Sequence, residues 1–289
     1  MASPSPDASF AILGPTPPIG PVVVSVPHGG RAYPPAMLDM LRVPLSALIG
    51  LEDRLIDRVA IAARRDETML VQHSPRAWID LNRHEDERDP VIDLGARVPA
   101  RPSTKLRSGL GLVPRRVAGH GDIWTRRFSD AEIRARITAD HRPYHAALHR
   151  CLAEARARFG IAILLDLHSM PPLGSPGTGA QVVLGDRHGS TAASQYVRRV
   201  ETMIRARGVA VTRNAPYAGG HVVERHGDPR RDIHAIQLEL DRSLYLDAAL
   251  ESPGDGFDAT VALVRVVVDT LTAAALGDGP ASALPLAAE

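Results

Sequence analysis

Apolar residues in this chain occur in two arrangements, short continuous runs and stripes at helical spacing, which alternate along most of its length. Val22-Val23-Val24-Ser25-Val26 is a β-branched run stopped by Pro27, which predicts a buried strand. Leu55, Ile56, Val59, Ala60 and Ala63 share one face of a helix expected over about 52–65. Residues 77–81 read as a second strand. Residues 84–128, rich in charge, proline and glycine, read as a long irregular insertion of the kind that often builds a site. Ser129 with Glu132 three residues later forms a capping-box pattern, and Gly160 sits just past the end of the helix it opens. Residues 161–167 are apolar except for Asp166, as in a strand covered on both faces. Strands at 180–184, 208–213 and 234–240 and helices at 190–207 and 257–276 complete the pattern.

Strands alternating with helices imply an α/β layered fold with a mostly parallel or mixed sheet. Residues 1–20, rich in Pro, Ser, Ala and Gly, are expected to form a flexible arm, and 277–289 a fraying tail. No linker divides the stretch from 21 to 276, which predicts one domain. The 289 residues, 44% hydrophobic and 23% charged, suit a globular protein. Neither an apolar run of membrane-spanning length nor a signal peptide is evident, so no membrane partner is expected. A single cysteine, Cys151, excludes a disulfide framework and a thiolate metal cluster, and points to a reducing, cytoplasmic compartment. Lys105 is the only lysine among 34 basic residues, yet the net charge is +1 with acids and bases interleaved. That balance argues against a nucleic-acid partner, which needs a net basic face.

In α/β sheets, ligands bind beyond the carboxyl ends of the strands. Three predicted strands end in reactive groups there. The first runs into His28-Gly29-Gly30, the central one into Asp166-Leu167-His168, and the last carries Glu239 in an apolar context. Asp166, two residues from His168, is placed to accept its second N–H and orient the ring for metal binding. A catalytic zinc site commonly takes three His or carboxylate ligands. His28 and His168 provide two, and Glu52 or Asp53 is in position to provide the third. Glu239 is the leading base, because an unpaired buried glutamate is costly unless compensated; an ion pair with Arg242 is its structural alternative. Arg83 is suited to polarise a carbonyl or bind a carboxylate, with Asn82 adding a directional amide. The alternative for Arg83 is a salt bridge to Glu85, Asp86 or Asp89. His141, His145 and His149 fall at i, i+4, i+8, which suggests a second metal site, but the neighbouring apolar stripe favours packing and hydrogen bonding. Residues 217–221 read as a turn that closes over a small ligand. No Walker, GxGxxG or GxSxG pattern is present.

Taken in order, SVPHGG (25–30), EDRLIDR (52–58), IDLNR (79–83), GLVP (111–114), RPYHAAL (142–148), LLDLHSM (164–170), AGGHVVERHG (218–227) and HAIQLELDRSLY (234–245) resemble the N-formylglutamate amidohydrolase family. The resemblance implies a metal-dependent hydrolase on a zinc carboxypeptidase-like (phosphorylase/hydrolase-like) fold, a mixed sheet with helices on both faces. It places His28, Asp53 and His168 on a zinc or other divalent ion, Glu239 as the base that activates water, and Arg83 at the oxyanion. Asp53 is preferred to Glu52 because Asp53 and Asp57 match the family's two aspartates spaced by four. The implied reaction is hydrolysis of N-formyl-L-glutamate to formate and L-glutamate, a step of histidine degradation. Asn82, Arg225, Tyr217, Gly220 and His221 are the expected substrate contacts. A related N-acyl amino acid or small amide is the alternative substrate, and a non-catalytic binding protein the alternative class. Either a monomer or a homo-oligomer fits.

Overall fold

The two longest apolar runs lie side by side in the middle of one sheet, where burial on both faces is greatest. The computed structural model describes residues 9–174 and 179–277. Its main sheet comprises β1 (Phe10–Leu13), β2 (Val22–Val26), β3 (Thr68–Gln72), β4 (Ala162–Met170), β5 (Val182–Gly185), β6 (Val211–Arg213) and β7 (Ile233–Asp241). Their spatial order is β1-β3-β2-β4-β7-β5-β6. β3, β2, β4 and β7 are parallel, β5 and β6 are parallel to each other, and β1 and β5 pair antiparallel with β3 and β7. The sheet is thus mixed and mostly parallel, as the alternation of patterns implied.

Among the described residues five helices cover it, α1 (Ile56–Ala63), α3 (Arg142–Phe159), α4 (Ser194–Arg205), α5 (His221–His226) and α6 (Phe257–Leu276), while α2 (Asp130–Arg136) packs Ile133 into a separate apolar cluster with Trp124 and Phe128. α1, α4 and α6 pack on one face against Val24, Leu165, Leu167, Ile236 and Leu238. α3 and α5 pack on the other against Val23, Leu164 and Ala235. Each fully buried Val, Leu or Ile contributes about 1.5–3 kcal/mol, so alternation along the strands assigns one set of side chains to each layer. Ser129 makes the predicted capping box with Glu132, and Gly160 ends α3 in the left-handed conformation, φ 77°. A five-residue π-helical segment, Ile137–His141, joins α2 to α3. α6 is long and apolar enough to cross a membrane, but it packs on α1 and α4 and buries Leu263, Val264, Val267, Val268 and Leu271 in the core.

Three expectations need correction. Phe10–Leu13, placed in a flexible arm, is an edge strand paired with β3; residues 1–8 and 278–289 of the expected arm and tail lie outside the described residues. Residues 77–81 are not a strand. Ala77, Ile79, Asp80 and Leu81 are all buried, inside a turn-rich segment whose Asp80 N–H donates to the Leu112 carbonyl at 2.7 Å. The strand beside β2 is Thr68–Gln72. Finally, α1 begins only at Ile56, because Leu55 adopts a left-handed φ of 58°. Glu52 and Asp53 therefore stand in the turn before the helix.

Candidate active site

Parallel pairing of β2, β4 and β7 brings their carboxyl ends to one edge of the sheet. His28 lies just past β2, His168 near the end of β4, and Glu239 pairs in register with His168 from β7. Gly29 allows the chain past His28 to lie against α1, since a Cβ there would stand 2.8 Å from the Asp57 Cβ. The Asp53 N–H donates to the His28 carbonyl at 3.1 Å, which brings the turn before α1 under the histidine.

One ligand atom from each of His28, Asp53 and His168 falls within 4.8 Å of the others, and all three residues are buried. His168 Nδ1 is 2.9 Å from Asp53 Oδ2, and His28 Nδ1 is 3.6 Å from the same oxygen, without a hydrogen-bond partner. The other ring nitrogens are backed by carboxylates. His28 Nε2 is 2.7 Å from Asp80 Oδ1, and His168 Nε2 is 2.9 Å from Asp166 Oδ2, the orientation expected for Asp166 from its spacing. Asp166 accepts in turn from the Ser25 hydroxyl at 2.8 Å, and Asp80 from Arg76 Nε at 2.8 Å.

These carboxylates set the charge of the centre. Burial alone would raise the Asp53 pKa, but His168 and His28 hold it well below the ordinary value. Burial would lower that of His168, yet Asp166 and Asp53 hold it well above the ordinary value. Two imidazoles backed by carboxylates, with a third carboxylate between them and an unpartnered buried nitrogen, form a centre that can hold a metal ion. Glu52 is not part of it, since its carboxylate is taken by Tyr33 and Arg54; Asp57 is held by both guanidinium nitrogens of Arg31 at 2.7 Å. Of the two carboxylates the sequence left open, Asp53 stands beside both histidines and Glu52 does not.

The centre opens into a cavity of about 330 Å³. Glu239 lines it, its carboxylate receiving the Gln237 amide at 2.8 Å and its pKa raised by burial against the opposing effect of His168. Arg83 also lines it, with Nε on the Leu110 carbonyl at 2.8 Å, Nη1 on the Asn82 carbonyl at 2.7 Å, and Nη2 3.8 Å from Asp80. Its three expected acidic alternatives lie elsewhere, Glu85 with Arg142, Asp86 beside His84 and Asp89 with Arg115. Arg242, the alternative partner of Glu239, binds Ser169 Oγ at 3.2 Å and pairs with Asp53 Oδ1 at 3.6 Å instead.

Asn82, Tyr217 and Gly220 line the cavity, as expected of substrate contacts. A Cβ on Gly220 would overlap the Asn82 carboxamide, which also accepts from the Val222 N–H at 2.8 Å and fixes the turn. Two expected contacts are not there. Arg225 is exposed on α5, and His221 is buried away from the cavity. His221 opens α5 and Arg225 lies in its last turn, and neither side chain faces the cavity, a rotation that residue spacing alone does not reveal. Three cations missed in the sequence occupy the wall instead: Arg76, Lys105 and Arg242. Arg76 comes from a turn-rich segment and Lys105 from a single helical turn, Thr104–Arg107, both too short for periodicity to mark them.

His221 belongs to a second buried cluster with His141 and His145, whose ligand atoms also lie within 4.8 Å of one another. His226 adjoins it, while His149, the expected third member, is exposed. Burial pushes His221 and His226 down to about 3 and lowers His141 and His145 as well.

Fold and site together define an α/β protein of hydrolase type, with a general-base candidate opposite a buried imidazole–carboxylate centre. The chain belongs to the N-formylglutamate amidohydrolase family, whose model matches residues 20–246. It is 34% identical to the N-formylglutamate amidohydrolase of Ralstonia eutropha, whose crystal structure superposes with a TM-score of 0.82 over 91% of this chain and 96% of that one. The N-formylglutamate deformylase of Pseudomonas aeruginosa is 29% identical, with 88% of this chain and 93% of the relative covered. An Agrobacterium tumefaciens gene product of solved structure shares the fold at 15% identity, with a TM-score of 0.68 over 94% of this chain and 95% of that one.

Proposed function

We propose that the chain hydrolyses N-formyl-L-glutamate to formate and L-glutamate, a reaction of histidine degradation, at the edge formed by β2, β4 and β7. The observation that carries this reading is the unpartnered His28 Nδ1, beside His168 and Asp53, in a cavity shared with Glu239 and several cations. Family membership narrows the substrate to an N-acylated amino acid. A zinc or other divalent ion held by His28, Asp53 and His168 would supply Lewis acidity, lowering the pKa of water and polarising the amide carbonyl.

The remaining work falls to the protein. Glu239, made more basic by burial, takes a proton from the attacking water and delivers it to the nitrogen as the C–N bond breaks. Gln237 holds one Glu239 oxygen and leaves the other for this transfer. Arg83, with Nε and Nη1 already tied to carbonyls, has Nη2 left to stabilise charge on the formyl oxygen. Asn82, Tyr217 and Gly220 shape the substrate seat, and Arg76, Lys105 and Arg242 receive its two carboxylates. A cytoplasmic setting accords with the single buried, unpaired Cys151.

A related N-acyl amino acid is the second reading, favoured by Met170 and Pro171, which bring an apolar, stiffened segment into the cavity wall. Formate release from N-formyl-L-glutamate and elemental analysis of the purified protein test both readings. Glu239→Gln is expected to keep its metal and lose formate release, and His168→Ala to lose both. Undiminished release by Glu239→Gln would overturn the mechanism. A wild-type chain that releases no formate but cleaves another acyl amino acid would overturn only the substrate.

A further inference from the structure

The second histidine cluster has no part in the chemistry above, yet it is built with a specific orientation. His145 Nε2 lies 3.0 Å from the Leu81 carbonyl, and His141 Nε2 lies 2.9 Å from the Arg83 carbonyl. A carbonyl can only accept, so both rings carry their proton on Nε2 and a lone pair on Nδ1. His141 Nδ1 is buried without a partner, as are both nitrogens of His221. His145 Nδ1 faces His226 Nε2 at 2.9 Å, and His226 Nδ1 is again buried and unpartnered. Four imidazole nitrogens are thus desolvated with nothing to bind, where phenylalanine or leucine would have packed without that penalty.

We propose that His141, His145 and His221 form a second metal site, separate from the centre at His28, Asp53 and His168. The donors are all imidazole, a set suited to zinc, cobalt, nickel or copper and unsuited to magnesium or calcium, which take oxygen. Hydrogen bonds from the outer ring nitrogens to backbone carbonyls fix the tautomers as they do around bound metals. Burial keeps the rings neutral, so their lone pairs are available at neutral pH. The ion takes over the His145 lone pair on which His226 rests in its absence, just as His168 rests on Asp53 in the first centre.

The site's position gives it a structural purpose. Leu81 and Arg83 flank Asn82, whose carboxamide reaches Val222 and lies 3.4 Å from His168, and His221 directly follows Gly220 of the cavity wall. An ion here pins α5 and the 80–83 segment to α3, holding the cavity wall from behind.

Zinc stoichiometry of the full chain, stripped with chelator, reloaded with Zn²⁺ and desalted, tests this. The wild type is expected to retain two equivalents, and His221→Asn one. Asp53→Ala/His168→Ala, with the first centre dismantled, is expected to retain one equivalent and to gain several degrees in Tm with Zn²⁺. Adding His141→Gln and His221→Asn is expected to abolish both effects; glutamine preserves a donor for the Arg83 carbonyl. Circular dichroism identifies any variant that does not fold, and the His221→Asn comparison stands without the multiple variants. Equal zinc in wild type and His221→Asn overturns the second site and leaves the first intact. One equivalent in wild type and none in His221→Asn supports the second site while refuting the first.

Discussion

Two buried histidine clusters share the 80–83 segment, and they differ in what stands behind the rings. Asp80 and Asn82 turn their side chains toward His28 and His168, whereas the Leu81 and Arg83 carbonyls turn toward His145 and His141. Carboxylates back the first pair and backbone carbonyls the second. A carboxylate adds a negative charge that favours a charged ring, while a carbonyl fixes the tautomer and adds no charge. Asp166 and Asp53 hold His168 well above its ordinary pKa, whereas burial without any carboxylate contact lowers His141 and His145 and pushes His221 and His226 down to about 3. The same residue type is made into an ionic centre in one place and a neutral donor set in the other.

The largest effect should come from removing the base that only the first cluster faces. Glu239→Gln is expected to lower kcat for formate release by about 10²–10⁴-fold with metal content unchanged. Loss of metal together with activity would instead make Glu239 part of the binding site.

The clusters should also respond to pH with opposite signs. His221 and His226 take up protons in the unfolded chain near pH 6.5 but in the folded chain only near 3. Folded stability should therefore fall as pH drops below about 6.5, by at most about 1.4 kcal/mol per pH unit for each group. His168, raised in the folded state, contributes stability present below pH ~6.5 and lost as pH rises through its folded value. Asp53 and Asp80 are depressed, and theirs is lost only below the ordinary aspartate pKa of about 3.9. Between pH ~6.5 and ~4 the second cluster sets the acid slope, His234, also lowered by burial, adds to it, and Glu239, raised by burial, opposes it. The charged groups facing the cluster include Arg225, Glu85 and Asp80, with His84 and His149 also facing it. Thermal melts of chelator-treated protein should show an acid slope there that His226→Gln flattens; an unchanged slope would contradict the burial argument.

A smaller change tests the carboxylate backing. Asp80→Asn is expected to weaken zinc binding at the first centre by about 10–100-fold, measured by competition with a chromophoric chelator. His141→Gln should leave that affinity unchanged if the two clusters are independent.

Smaller again, Lys105→Met should raise KM by about 3–10-fold at constant kcat, because a cation that grips a substrate carboxylate does so equally before and during reaction. The smallest effect is expected for the exposed Arg225→Ala, within about twofold in kcat/KM. A large loss there would return the substrate carboxylate to α5.

Much of this architecture is readable from the chain because it depends on local pattern. The central strands announce themselves as apolar runs, since a strand covered on both faces tolerates few polar residues. His28, Asp166, His168 and Glu239 stand out because they interrupt or end those runs, and parallel strands deliver their carboxyl ends to one edge. The capping box at Ser129 and the glycine after α3 are local chemistry as well.

Tertiary structure decided what packs against what. Residues 77–81 are mostly apolar, as a short strand is, but bond to the 110–112 loop and to α3, because residue pattern reports burial and not the partner. Asp53 faces the two histidines while Glu52 meets Tyr33 and Arg54, both in the turn that the left-handed Leu55 sets before α1. His221 and not His149 adjoins His141 and His145, and Arg76, Lys105 and Arg242 but not Arg225 line the cavity, because these neighbours come from segments separated by tens of residues. Sequence determined which side chains had to be buried at the sheet edge. Only the long-range closure of irregular segments decided which charges and lone pairs they would meet there.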